Sequence, residues 1–193
     1  MKVFISGGCK NGKSYYAQRL AKTAAGFGGA ERPLYYIATM RPVDSEDDER
    51  IARHIDDREG WGFETVEQAS GIEEILQKCD IGGSFLLDSL TALLANEMFP
   101  PGGKADEQAA GRVVNGVKKI LEAVGSIVVV SDYIYSDAIE FDPLTECYRK
   151  SLAAVDCVSA KLCDVVLEIS YAGVIVHKGQ EIFSSDIELY EHV

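Results

Sequence analysis

The chain has 193 residues, 47% of them hydrophobic, enough to bury a sizeable core in one domain spanning 1–193. Its 19 Lys+Arg against 31 Asp+Glu leave a net charge of -12, which repels nucleic-acid backbones and anionic membranes and argues against both as partners. Five scattered cysteines without a CxxC pair, and three histidines out of register with them, argue against a disulfide framework or a zinc centre and for mostly buried thiols.

The segment Met1–Ser6 is too short for a signal-peptide core, and no apolar run reaches membrane-spanning length, so the expectation is a cytoplasmic protein without a membrane span. The first strand is predicted at 2–6 (KVFIS), followed by GGCKNGKSYY at 7–16 and a helix over 13–25. Gly7-x4-Gly12-Lys13-Ser14 fits GxxxxGK[ST] in the context that motif requires, a strand before and a helix after. Glycines let successive backbone N–H groups turn inward, and the helix adds the positive end of its dipole. Gly7, Gly8, Cys9, Lys10, Asn11, Gly12, Lys13 and Ser14 are therefore read as a nucleoside-triphosphate cradle. Lys13 reaches the terminal phosphates, and the Ser14 hydroxyl is a candidate Mg2+ ligand.

Further strands are predicted at 34–38 (LYYIA), 63–66 (FETV), 84–88 (SFLLD), 126–131 (SIVVVS) and 164–170, with 173–177 closing a hairpin. Helices are predicted at 47–58, 71–78, 89–98, 106–124 and 143–162. Uninterrupted runs such as IVVV mark strands covered on both faces, as in a parallel sheet. The alternation predicts an α/β fold of three layers with ligands at the carboxyl ends of the strands. Asp88, ending the strand FLLD, has two compatible roles: an Mg2+-side carboxylate facing the phosphate loop, or the N-cap of the next helix.

The segment DDERIARHIDDREGWGFETVE (47–67) leaves two readings open. On a helix, Arg50, His54 and Arg58 share one face, with Ile51 and Ile55 on a neighbouring stripe turned to the core. That face is either a phosphate-handling surface with a nucleophilic imidazole or a solvated face with Arg53 paired to Asp57.

GGxxxGKS after a strand, YIAT (36–39), DDERIxxHxxxR (47–58), a Trp and TVE (61–67), and LLD (86–88) occur in an order that resembles the bifunctional adenosylcobinamide kinase/adenosylcobinamide-phosphate guanylyltransferase family of cobalamin assembly. The resemblance covers roughly the first hundred residues. It implies a P-loop NTPase (RecA-like) domain with a mainly parallel sheet, and a homotrimer. It implies two reactions on adenosylcobinamide: phosphorylation by ATP or GTP, then transfer of GMP from GTP to adenosylcobinamide phosphate through a guanylylated histidine. By position His54 matches that nucleophile and Lys13 the phosphate-loop lysine. Ala38, Thr39 and Met40, with Ile55, Asp56, Asp57 and Arg58, match nucleotide contacts, and Glu67 and Asp88 match acidic nucleotide-site positions.

The second half departs from that family. An NExGxGIVP-like loop is usual after the fifth strand, where this chain has SDYIYSDAIEFDP. Asp156-Cys157 stand in place of an Asn-Gln pair, whereas Arg149 and Asp164 still fit. Tyr133, Tyr135 and Phe141 can form an apolar wall for a large flat ligand or simply pack the loop. Two other readings remain: a P-loop small-molecule kinase without covalent chemistry, which leaves His54 no task, and a nucleotide-dependent regulatory module.

Overall fold

The computed structural model describes residues 1–26, 32–42, 51–52, 55–56, 58–170 and 173–185. His54, Arg50, Arg53 and Asp57, and most of the predicted helix 47–58, lie outside the described residues.

Seven strands form one sheet: β1 (Lys2–Gly7), β2 (Leu34–Ala38), β3 (Phe63–Glu67), β4 (Ser84–Asp88), β5 (Ser126–Asp132), β6 (Val165–Ser170) and β7 (Gly173–Lys178). Their spatial order is β3-β2-β4-β5-β1-β6-β7, parallel throughout except for β7, which returns antiparallel along β6. The helices are α1 (Lys13–Gly26), α2 (Ile75–Lys78), α3 (Leu90–Met98), α4 (Ala109–Ala123), α5 (Pro143–Leu162) and α6 (Gln180–Ser185).

The strand side chains alternate between two cores because successive residues point to opposite faces. Ile127 and Val129 of β5, Phe85 and Leu87 of β4 and Phe4 of β1 meet Leu93, Val117, Ile120 and Leu152 of α3, α4 and α5. Val128, Val130, Leu86, Val3 and Ile5 face the other way, onto Ala17, Leu20 and Ala21 of α1. This makes three layers, and it explains why IVVV carries no polar alternation: both faces are covered. Val113, Val117, Ile120 and Leu121 place the buried stripe of α4 at helical spacing.

Local rules set several ends. Asp142 caps α5 by accepting from the Leu144 and Thr145 amides at 3.0 and 3.2 Å, and Pro143 opens the helix where no N–H is needed. The predicted helix 71–78 is instead a 3-10 turn at Ile72–Glu74 followed by α2. The helix predicted from 106 starts at Ala109, and α6 was not anticipated. All five cysteines are free, but only Cys163 is buried; Cys9 and Cys157 are exposed, against the expectation of mostly buried thiols. No helix among the described residues is long and apolar enough to cross a membrane.

Candidate functional site at the carboxyl edge of the sheet

Strand register brings the sequence-distant candidates into one row. Glu67, Ala38 and Asp88 are paired positions on β3, β2 and β4, and Asp132, Gly7 and Ile169 are paired on β5, β1 and β6. All end at the edge where a parallel sheet presents its ligand crevice.

The loop after β1 is tightly built. A Cβ on Gly7 would overlap the Ile169 carbonyl oxygen, and Gly12 has φ 88, a region that disfavours any side chain. The Asn11 side-chain amide donates to the Ile169 carbonyl, and the Tyr133 amide donates to Gly7 at 3.3 Å, so the loop is braced by β6 and by the end of β5. The Lys13 ammonium donates to Gly8 O at 2.5 Å and Asn11 Oδ1 at 3.2 Å and pairs with Asp132 Oδ1 at 2.7 Å. Three donors and three acceptors leave Lys13 satisfied although it is only 5% exposed. To engage a phosphate, Lys13 must exchange at least one of these partners.

A cavity of about 470 Å³ opens beside this loop. Ser14, Ala38, Met40, Ile55, Arg58, Glu67 and Asp88 line it, all candidates named from sequence, together with Asp132. Lys13 lies at its margin through the bond to Asp132. Thr39 is wholly buried and does not line the cavity; its hydroxyl donates to Ser89 O at 2.8 Å and accepts from Ser89 N at 2.7 Å, locking the end of β2 to β4. Asp56 is exposed and outside the cavity lining, and His54 and Asp57 fall outside the described residues. Ile55 is 50% exposed and, with Ile51, faces the cavity rather than the core, a correction to the expected stripe.

Asp88 is not the N-cap of α3. Ser89 takes that position, its hydroxyl accepting from the Ala92 amide at 3.3 Å. The Asp88 carboxylate instead accepts from the Tyr36 hydroxyl at 2.9 Å and faces the cavity. Arg58 is 7% exposed, stacked 4.1 Å over the Tyr36 ring and donating to Thr65 Oγ1 at 3.2 Å. A single tyrosine thus orients an acid and a base at one wall. Tyr36, Thr65 and Asp132 were missed in the sequence, because each matters through a partner on another element: Asp88 of β4, Arg58 of the turn before β3 and Lys13 of α1. The one available signal for Asp132 was a carboxylate ending an apolar strand, the same signal that singled out Asp88.

The divergent segment 132–142 is organised by Arg149, which is 6% exposed. Its guanidinium donates to Ile134 O at 2.9 Å and Ile139 O at 3.1 Å, pairs with Asp137 at 2.7 Å and Glu146 at 2.5 Å, and lies 4.7 Å over the Phe141 ring. Phe141 therefore packs the loop, whereas Tyr133 and Tyr135 line a second cavity. Burial pushes the Tyr135 phenol well above its ordinary range, and the nearby Asp156 charge adds to this.

The family described as cobinamide kinase / cobinamide phosphate guanyltransferase matches residues 3–177. A bifunctional adenosylcobalamin biosynthesis protein of Escherichia coli (strain K12) is 32% identical over 109 residues, which cover 55% of this chain and 55% of that protein. The aligned part is thus about half the length of that relative. Among solved structures, a KaiC-like protein, PH0186 of Pyrococcus horikoshii OT3, superposes with a TM-score of 0.53 at 12% identity, over 92% of this chain and 78% of that one. At that identity the likeness concerns the fold alone, which is that of a P-loop NTPase. A phosphate loop after β1, acidic residues at the ends of β3, β4 and β5, and a family match across nearly the whole chain lead to one conclusion: the chain belongs to the cobinamide kinase / cobinamide phosphate guanyltransferase (CobU) family.

Proposed function

We infer that this chain phosphorylates adenosylcobinamide with ATP or GTP and then transfers GMP from GTP to the resulting phosphate, releasing pyrophosphate and adenosylcobinamide-GDP. Membership of the family supports both steps. The observation that carries the nucleotide half is the gathering of Ser14, Asp88, Arg58 and Glu67 around one cavity beside Lys13.

In the kinase step, the acceptor hydroxyl attacks the γ-phosphorus and the nucleoside diphosphate leaves. Lys13 exchanges Asp132 for the phosphate oxygens and offsets the charge that spreads over them in the transition state. Ser14 and Asp88 are an oxygen-donor pair of the kind that holds Mg2+ beside nucleotide phosphates, and a bound Mg2+ would neutralise phosphate charge there. Arg58, fixed by Tyr36 and Thr65, gives this wall a second cation for the triphosphate.

In the second step, the His54 imidazole attacks the α-phosphorus of GTP, forming a P–N bond as pyrophosphate departs. A phosphate oxygen of adenosylcobinamide phosphate then attacks the same phosphorus, and the P–N bond breaks to return the imidazole. The test is retention of label by denatured protein. Label from α-labelled GTP should stay, acid-labile and alkali-stable, and label from γ-labelled GTP should not. His54→Asn should abolish the adduct while cobinamide phosphorylation continues. A wild-type chain that phosphorylates cobinamide but never retains label would make it a kinase only.

A further inference from the structure

Among the described residues, three carboxylates line the nucleotide cavity: Glu67, Asp88 and Asp132. Register and strand order place them unequally about the phosphate loop. Asp88 pairs with Val130, so Asp132 stands two residues further along its strand, level with Gly7 where the loop begins. At about 3.3 Å per residue, this carries Asp132 roughly 7 Å beyond the level of Asp88. Glu67 lies four places from β1 in the order β3-β2-β4-β5-β1, which at about 4.8 Å per strand sets it roughly 19 Å to the side. Asp132 is on β5, next to β1, with Oδ1 2.7 Å from the Lys13 ammonium.

The carboxylates also differ in what holds them. Asp88 accepts from the Tyr36 hydroxyl at 2.9 Å and, with Ser14, serves the Mg2+ side of the reaction inferred above. Asp132 is anchored by its main chain: its amide donates to Thr91 Oγ1 at 2.9 Å, and the Tyr148 hydroxyl donates to Thr91 O at 2.9 Å. These bonds tie the end of β5 to α3 and α5, not to the helix that carries Lys13. When Lys13 turns to the phosphates, Asp132 stays at the cavity wall with one oxygen freed. A carboxylate paired with an ammonium accepts a proton poorly; losing the cation and gaining a phosphate neighbour makes protonation easier.

Resting on the kinase step inferred above, we propose that Asp132 is its catalytic base. The acceptor hydroxyl oxygen bonds to the γ-phosphorus as the bond from that phosphorus to the β–γ bridging oxygen breaks. The diphosphate leaves with the electron pair. The hydroxyl proton passes to the Asp132 oxygen that Lys13 has released, and from there to water at the cavity mouth. The ion pair keeps each partner from its task until a triphosphate separates them. The guanylyl step needs no such base, because its acceptor is a phosphate that is already ionised.

That difference gives the test an internal control. Asp132→Asn, which keeps the size of the side chain, should lower kcat for cobinamide phosphorylation by about 10²-fold or more. ATP affinity by calorimetry should be unchanged or tighter, since the triphosphate no longer has to displace a carboxylate from Lys13. Guanylyl transfer to chemically made adenosylcobinamide phosphate should continue at close to the wild-type rate. Asp132→Glu, which keeps the carboxylate, should phosphorylate at least about tenfold faster than Asp132→Asn. Near wild-type kcat in Asp132→Asn overturns the assignment. So does an equal loss of both transfers, which would make Asp132 a positioning residue for the nucleotide. In both cases the kinase reading stands, because the variants are measured against an active wild type. A wild-type chain that never phosphorylates cobinamide removes that reading and the base together.

Discussion

The two cavities are nearly equal in size, about 470 and 460 Å³, yet among the described residues only the first has an arginine in its lining. The first has Arg58 in its wall and Lys13 at its margin, facing Asp88, Glu67 and Asp132. The second has Asp156, Glu168 and tyrosines without a cation of the Lys or Arg type among its described lining. The difference arises from strand order rather than composition. Placing β5 between β4 and β1 puts a carboxylate against the lysine that follows β1, whereas β6 and β7 lie on the far side of β1.

The largest way to break this contrast is Lys13→Ala. Phosphorylation of cobinamide should fall by about 10³-fold or more, because the lysine acts on charge that develops in transfer. Thermal melting should move little, since Asp132 is partly exposed and can turn to water once its partner is gone. A melting drop of the size expected for a core mutation would show that the pair is structural instead.

Arg149→Ala should separate the cavities in the other direction. Losing three carbonyl contacts and two ion pairs should release 134–139, raising the KM for cobinamide by about tenfold while calorimetric GTP affinity stays within about twofold. Equal damage to both ligands would mean that the segment also shapes the nucleotide site.

Asp156 gives the second cavity a pH signature of its own. Burial pushes its carboxyl up to about 7; hydrogen bonding from Ser131 and Tyr135 eases it, and the Asp132 charge pushes it further. In the unfolded chain it titrates near the usual aspartate value, about 4. Between these values the folded state holds the extra proton, so this contribution to stability is full below about pH 4 and is lost as pH rises to about 7. Denaturation at several pH values should show a fall on the order of 4 kcal/mol across that window, removed by Asp156→Asn. An unchanged slope in Asp156→Asn would place the titration elsewhere.

The smallest expected effect is Tyr36→Phe. It removes the hydroxyl bond to Asp88 but keeps the ring beneath Arg58, so stability should drop by about 1 kcal/mol and the KM for nucleotide should rise a few-fold. Tyr36→Ala should cost more in both, because Arg58 would lose its platform.

Features made by contiguous residues were legible from sequence. The turn between β1 and α1 could be placed because its glycines lie within a few positions of each other, directly after an apolar strand. The start of helix α5 could be placed because Asp142 and Pro143 dictate it locally. The strands could be found because continuous apolar runs need two covering layers.

What the sequence determined by itself was local: a glycine-rich turn between a strand and a helix, strands and helices in alternation, and an acidic net charge. The tertiary structure alone decided the partners. Lys13 with Asp132, Asp88 with Tyr36, Arg58 on the Tyr36 ring and Asp156 with Tyr135 all join segments that meet only once the strands are ordered and in register. Ile55 shows the same limit from the other side, since its apolar character named a core position while the sheet edge left it facing a cavity. Periodicity along a chain encodes which face a residue takes, but the identity of its neighbour depends on contacts closed across long loops, which no local pattern records.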